Sequence, residues 1–292
     1  MDDRVDCIGS GVAEEHATGA VAWLREQVAL GGPVVWSGYG LSLAVAETLA
    51  AVSRELGMAS YALTPGDLGD VREGKVAYLS RSGRHPGGTV DLLVTEAGAS
   101  AARPIAATVL TIDDPDAGSD PWLPLRYARV TVRAVVEALG VPPTAPIELP
   151  QLPELDGEIR CILLFEKHSR VARSAVRSVR EKIGRSPCEA MTFAELGHGV
   201  HSQLWARPEE HRVCIASCGG ERSDAETAVR AWCESVGVRV CDLSLLDRGE
   251  GAGQAVQTFE TTLALLEQFA SRNDLPLTRA PIPSELDSLR LG

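Results

Sequence analysis

Apolar residues recur at helical spacing from Val12 to Leu30, and Gly31-Gly32 ends the run, which predicts an opening helix. Pro33-Val-Val-Trp36 follows as a short buried strand. Ser37-Gly-Tyr-Gly-Leu-Ser42 is a glycine-rich turn, after which Leu41, Val45, Leu49, Val52 and Leu56 step along one helical face to a cap at Gly57. Strand, glycine-rich turn and helix in that order place backbone N–H groups at the carboxyl edge of a parallel sheet.

The pattern recurs at once. Lys75 to Leu79 reads as a strand and Ser80 to Thr89 as a polar turn, while the next segment, through Ala97, fits either helix or strand. Ile105 to Ile112 is a buried strand, and Arg126 to Leu139 closes this half as a helix. Five prolines without periodicity between Val141 and Pro153 mark a linker. Beyond it, Ile159 to Phe165 predicts a strand and Arg170 to Ile183 a helix whose Ala172, Val176, Val179 and Ile183 face inward. Val213 to Ala216 is a strand with Cys218-Gly-Gly-Glu-Arg222 as its turn, then come a helix through Val236 and a strand at Val238 to Leu243. A last helix spans Ala255 to Phe269. The expected fold is α/β: two tandem three-layer αβα domains with parallel, flavodoxin- or Rossmann-like sheets. The expected bounds are 1–144 and 158–272, a linker at 145–157 and a tail at 273–292.

Composition narrows the function. The 292 residues are 45% hydrophobic and 23% charged, the balance of a folded chain, and aromatics are only 4%, so small and branched aliphatics fill the layers. A net charge of −12 without a dense Lys/Arg cluster argues against a nucleic-acid partner. The start, Met-Asp-Asp-Arg-Val-Asp, has no apolar run of a secretory signal, and stretches such as Ile105 to Ile112 are too short to span a bilayer. Seven cysteines without CxxC spacing fit reduced thiols in a reducing compartment, so a cytoplasmic location is expected. Only three lysines exist, Lys75, Lys167 and Lys182, and each stands out as a chemical group.

The two turns carry the candidate chemistry. Ser37 to Ser42 lacks the third glycine of a dinucleotide fingerprint, and no GK[ST] is present, so neither NAD nor ATP is expected and no cofactor is assigned. In the second turn, Ser80, Ser82, Gly83 and Thr89 would ring a tetrahedral anion, with N–H groups at a following helix start supplying the positive end. The competing reading is a solvated loop that merely caps the next segment. His198 and His201 have HxxH spacing with His211 nearby, but no carboxylate lies at ligand spacing, so no metal site is expected. Asp113, Asp114, Asp116 and Asp120 read as a solvated acidic loop. Cys218, before two glycines, has no histidine placed to activate it.

The turns Ser37-Gly-Tyr-Gly-Leu-Ser42 and Ser80-Arg-Ser-Gly83 resemble the two phosphosugar-binding turns of sugar isomerase (SIS) domains. Glu189-Ala-Met-Thr-Phe-Ala-Glu-Leu-Gly-His-Gly199 is similar to the segment ending E-L-K-H-G-P in the isomerase half of the glucosamine-6-phosphate synthases. The resemblance implies two SIS domains in tandem over nearly the whole chain, without the glutamine-hydrolysing domain. It implies ligand contacts from Ser37, Gly38, Tyr39, Gly40, Ser42, Ser80, Arg81, Ser82, Gly83, Arg84, His85, Thr89 and Glu195. Asp120 falls where many such domains place a glutamate and joins the set. His198 matches the ring-opening histidine, and Glu181 matches the general base of a K-E pattern if one residue is inserted before Cys188. The competing role for Glu181 is a surface i,i+4 pair with Arg177.

This chain also departs from the pattern. S-x-S-G-E-T becomes Ser80-Arg-Ser-Gly-Arg-His85, closer to the aminosugar-phosphate deaminase/isomerase and fructosamine deglycase branches, and the proline after H-G is Val200. Arg279 stands in the tail that carries a lysine in the synthases; a guanidinium stays protonated and forms no imine, although it can pair with an anion. The expected function is aldose–ketose isomerisation of a sugar or aminosugar phosphate, in a homodimer with shared sites. The rivals are deamination or deglycation, and a phosphosugar-binding sensor or partner subunit without turnover.

Overall fold

The computed structural model describes residues 14–71, 73–81, 90–96, 106–112, 123–142, 159–183, 188–218, 222–245, 251–273 and 275. Those up to 142 belong to one compact unit and those from 159 to another.

In the first unit, helix α1 (Glu14–Leu30) precedes strand β1 (Val34–Gly38), helix α2 (Leu41–Glu55) and strand β2 (Ser60–Leu63). A 3₁₀ turn, Pro65–Asp70, leads to β3 (Lys75–Leu79), followed by β4 (Val90–Glu96), β5 (Ala106–Ile112) and helix α3 (Leu123–Ala138). The five strands are parallel, in the order β2-β1-β3-β4-β5. Successive residues of one strand point to opposite faces, and Val34, Val35, Leu92 and Leu93 are all buried, so both faces are covered at the centre. Trp36, fully buried, points to the face carrying α2, where its indole Nε1 donates to Ser53 Oγ at 3.1 Å. Helix α3 packs against α2 and β5, and α1 against β5.

The segment that fits either helix or strand is β4. Leu92 and Leu93 bury on opposite faces, which a strand between two parallel neighbours does and a one-sided helix does not. This corrects the expectation of helix-start donors behind the Ser80 turn: the described residues from Val90 onward are strand.

The second unit repeats the topology. Strand β6 (Arg160–Phe165), helix α4 (Ser169–Ile183) and strand β7 (Cys188–Met191) are followed by a continuous helical stretch: α5 (Phe193–Glu195), a wide π turn (Leu196–Val200) and α6 (His201–Ala206). Strand β8 (His211–Cys218), helix α7 (Asp224–Val236), β9 (Arg239–Leu245) and α8 (Ala252–Arg272) complete it. The four strands are parallel, ordered β7-β6-β8-β9. One face, with Ile162, Leu164, Val213 and Ile215, packs on Leu196, Leu204 and Cys233 of the π turn, α6 and α7. The other meets α4 and α8, giving three layers. Helix α8 is buried almost throughout. Among the described residues no helix is long and apolar enough to cross a membrane.

Both units enter the helix after their first strand through the same backbone device. Gly40 has φ 54°, and its carbonyl accepts from Leu43 N at 2.9 Å and Ala44 N at 3.3 Å. His168 has φ 57°, and its carbonyl accepts from Val171 N at 2.9 Å and Ala172 N at 3.3 Å. A non-glycine residue with positive φ is uncommon, so His168 carries a local strain that Gly40 does not.

The Trp36–Ser53 bond separates packing from hydrogen bonding. Trp36→Phe keeps an aromatic core residue but strands the buried Ser53 hydroxyl. Stability is expected to fall by about 1–3 kcal/mol, read as a lower urea midpoint at unchanged slope.

Candidate functional site

In a sheet ordered β2-β1-β3, the chain leaves β1 toward one side and β3 continues toward the other, so the crevice at their carboxyl ends is the topological switch point. The register pairs Ser37 with Tyr78 and Gly38 with Leu79. Tyr39-Gly40 and Ser80-Arg81, from the two turns identified in the sequence, therefore emerge side by side.

Two glycines have distinct reasons to be there. A Cβ on Gly38 would lie 2.7 Å from Ser42 Cβ, 2.9 Å from its carbonyl carbon and 3.0 Å from its oxygen, so α2 approaches too closely for any side chain. Gly40, at φ 54° and ψ −123°, takes the first central position of a type II′ turn closed by Ser42 N donating to Tyr39 O at 3.1 Å. Ser37 is fully buried, and its Oγ has no hydrogen-bond partner among the described residues. Tyr39 is exposed, and Ser42 is half-buried in the first turn of α2. Burial, with Tyr39 close by, pushes the Tyr78 phenol up to about 12, so it stays a neutral hydroxyl.

The second turn is tied to β4. Ser80 N donates to Val94 O at 2.9 Å, while the Arg81 carbonyl accepts from Glu96 N at 3.2 Å and from Thr95 Oγ1 at 3.4 Å. Arg81 Nε lies 3.6 Å from Glu96 Oε2. Tyr127, near the start of α3, is buried within electrostatic reach of both Glu96 and Arg81; burial dominates and raises its phenol pKa further than that of Tyr78. Glu96 and Tyr127 were not singled out in the sequence. The signal for Glu96 in the sequence is a carboxylate at the carboxyl end of the largely apolar run Val90 to Glu96, since strand carboxyl ends are where α/β folds put ligand groups. Lys75 pairs with Asp91 at 3.0 Å at the opposite edge.

Ser82, Gly83, Arg84, His85, Thr89, Asp120 and Arg279 lie outside the described residues. Glu181 falls on the last turn of α4, and its side chain also lies outside them.

In the second unit, Glu195 closes a capping box. Its backbone N–H donates to Thr192 Oγ1 at 3.1 Å, while Oε2 accepts from Thr192 N at 2.8 Å. Arg173 of α4 donates to the same carboxylate at 2.7 and 2.5 Å. The Thr192 backbone bond and then the Arg173 guanidinium hold the Glu195 carboxyl below the ordinary carboxylate range. A carboxylate so engaged is a weak base. His198 is exposed in the middle of the π turn, a helical irregularity frequent at functional sites. His201, on α6, sets its ring edge-on to Trp232 with centroids 6.3 Å apart. His211 is buried and donates from Nδ1 to Arg207 O at 2.8 Å, which occupies it structurally. Among the described residues no group of three or more His, Cys, Asp or Glu is arranged to hold a metal.

This fold is found in known structures over most of their length. One, from Silicibacter pomeroyi DSS-3 and provisionally named a phosphosugar isomerase, is 18% identical with a TM-score of 0.60 over 90% of this chain and 94% of its own. Glucosamine-6-phosphate deaminase from Thermotoga maritima is 14% identical, with a TM-score of 0.58 over 91% and 97%. The C-terminal domain of glucosamine-fructose-6-phosphate aminotransferase from Francisella tularensis is 9% identical, with a TM-score of 0.56 over 91% and 95%. No family model and no curated protein sequence matches the chain. At these identities the likeness establishes the α/β fold that these phosphosugar proteins share.

The geometry generates two expected outcomes. Gly38→Ala forces Ser42 backbone away from β1, so it is expected to cost about 1–3 kcal/mol and to lower the unfolding midpoint. The Glu195 pKa is depressed on folding, so its contribution to stability is present above its unfolded pKa and is lost as pH falls through the lower folded value. Acid titration of Glu195→Gln, followed by circular dichroism, should show a weaker loss of stability across that window than wild type.

Proposed function

We propose that the chain binds a phosphorylated sugar or amino sugar at the carboxyl edge of its first sheet and interconverts aldose and ketose forms by enediol proton transfer. The observation that carries the reading is the switch point: two serine- and glycine-bearing turns, Ser37 to Ser42 and Ser80 to Arg81, adjoin at the ends of β1 and β3 beside the start of α2. The phosphate is assigned to these turns, with Ser82, Arg84 and Thr89 completing the ring. Glu181 is the proposed proton-transfer base and His198 the ring-opening acid/base, in a cytoplasmic homodimer with shared sites. Structures sharing the fold include proteins whose names specify hexose phosphates, among them tagatose-6-phosphate ketose/aldose isomerase from Escherichia coli at 15% identity and a TM-score of 0.50, covering 92% of this chain.

The Arg81–Glu96 pair favours an amino sugar over a plain one. A carboxylate beside the guanidinium repels a bare anion but accepts from an ammonium or hydroxyl group, so a ligand carrying both phosphate and amine suits the edge better. That observation supports aminosugar-phosphate deamination as a second reading. Loss of the usual loop glutamate and tail lysine supports a third, binding without turnover.

The test is solvent proton exchange in deuterium oxide, followed by NMR, at C2 of glucosamine 6-phosphate and at C1 of tagatose 6-phosphate after a thermal-shift screen for binding. Wild type is expected to exchange. Glu181→Gln, which keeps the shape but removes the base, is expected to bind while losing about 10²-fold or more in exchange rate. Binding without exchange in wild type selects the sensor reading, and release of ammonia selects deamination.

A further inference from the structure

Four of the seven cysteines stand on one face of the second sheet, one on each strand. Cys188 of β7 is the register partner of Cys161 of β6, and Cys214 of β8 is that of Cys241 of β9. The Cys161 and Cys214 sulfurs lie 3.2 Å apart, joining the two pairs into a ladder across the sheet. Their neighbours Ile162, Val213 and Ile215 point to the opposite face, so the thiols share the side packed by α4 and α8. Cys161, Cys188 and Cys214 are buried, and Cys241, on edge strand β9, is half-exposed.

The surroundings are electropositive. Arg212 and Arg239 are register partners two residues before Cys214 and Cys241, on the same face. Partial exposure makes Cys241 the thiol that solvent reaches; its hydrogen bond to Cys214, and then burial, raise its pKa, and Arg212 and Arg239 oppose that rise. The thiol of Cys161, and then that of Cys241, hydrogen-bonds the Cys214 sulfur and holds its pKa well below the ordinary thiol value. Cys214 is therefore the more acidic thiol of the pair, and Cys241 is the one that reagents reach.

Strand geometry decides which pair can bond. Register partners on neighbouring strands have Cα atoms about 4.8 Å apart, inside the roughly 4.4–6.8 Å range of disulfides. Cys161 faces Arg212 in register, so Cys214 is a diagonal neighbour two residues further on. Its Cα is then roughly 8 Å away, beyond what a disulfide spans without moving backbone. The close Cys161–Cys214 contact is thus a supporting hydrogen bond; of the two register pairs, Cys161–Cys188 is wholly buried and Cys214–Cys241 alone has a partly exposed member that an oxidant can reach.

We propose that Cys214 and Cys241 form a redox modification site in which a hydroperoxide oxidises Cys241 and Cys214 closes an intramolecular disulfide across β8 and β9. With hydrogen peroxide, Cys241 gives up its proton to solvent and its sulfur attacks one peroxide oxygen. The O–O bond breaks, and the departing hydroxide takes a proton from solvent, leaving water and Cys241 sulfenic acid. The Cys214 sulfur then attacks the Cys241 sulfur and breaks its S–O bond. The expelled hydroxide takes the Cys214 proton as a second water. Two thiols are oxidised, one peroxide is reduced, and Cys161 and Cys188 stay reduced.

The experiment treats the whole wild-type protein with a small excess of hydrogen peroxide, alkylates remaining thiols under denaturing conditions and maps non-reduced tryptic peptides by mass spectrometry. Cys214 shares the peptide Val213 to Arg222 with Cys218, and Cys241 lies on Val240 to Arg248, so fragment ions assign the sulfur. The expected product is a Cys214–Cys241 cross-link with loss of two hydrogens, reversed by dithiothreitol. Cys241→Ser is expected to slow loss of the Cys214 thiol by about tenfold or more, and Cys214→Ser to leave a Cys241 sulfenic acid that dimedone traps. A Cys161–Cys214 or Cys214–Cys218 link would overturn the assignment. So would Cys241 progressing to sulfinic acid while Cys214 stays reduced, or Cys241 remaining fully alkylatable.

Discussion

Parallel pairing governs this molecule. Two parallel strands cannot be joined by a tight turn, so the chain must cross back over the sheet before the next strand begins. Every strand pairing among the described residues is parallel. All strands of a sheet therefore end at one edge, and residues distant in sequence arrive there together: Ser37 to Gly40, Ser80 and Arg81, and Glu96. The same arrangement demands that both sheet faces be covered, which is why small and branched aliphatics fill the strands and aromatics are few. Trp36, enclosed under α2, and Phe165 of β6 are large exceptions.

Much of this architecture is legible in the chain because strands buried on both faces read as short apolar runs and helices as one-sided stripes. Helices α2 and α4 begin and end within a residue or two of the periodic pattern that predicts them. Strands β2 and β7 have no such signature: Ser60 to Leu63 alternates at a sheet edge, and Cys188 to Met191 is too short and too polar to stand out. Strand β4 fits two periods because Val90, Leu93 and Val94 satisfy a helical stripe as well as a strand, and only flanking partners decide between them. Tertiary neighbours supply what local spacing lacks.

The candidate site shows the same division. The turns at Ser37 and Ser80 are visible because glycine and serine at strand ends have local causes, such as the closed approach at Gly38 and the positive φ of Gly40. Glu96 and Tyr127 join Arg81 through the sheet order and the packing of α3, and no spacing along the chain encodes that meeting. Glu195 illustrates the converse. Its place in a matching motif points to chemistry, while the same four residues, Thr192 to Glu195, spell a capping box that engages the carboxylate. A motif and a local structural role can occupy one residue, and its hydrogen bonds reveal which demand is being met.

The wide turn from Leu196 to Val200 has a consequence for helical phase. A π turn holds an additional residue, and one α-helical residue corresponds to about 100° of rotation. The helical stretch on either side is therefore out of step with a regular helix by that angle. Anchors exist on both sides, since Leu196 and Leu204 are fixed in the core and the Glu195 carboxylate is clamped by Arg173. A one-residue deletion inside the turn would restore an even pitch, but only by swinging one set of anchors away from its partners. The bearing of His198 is thus set by a phase offset between two fixed ends, and the segment tolerates substitution of its side chains far better than a change in its length.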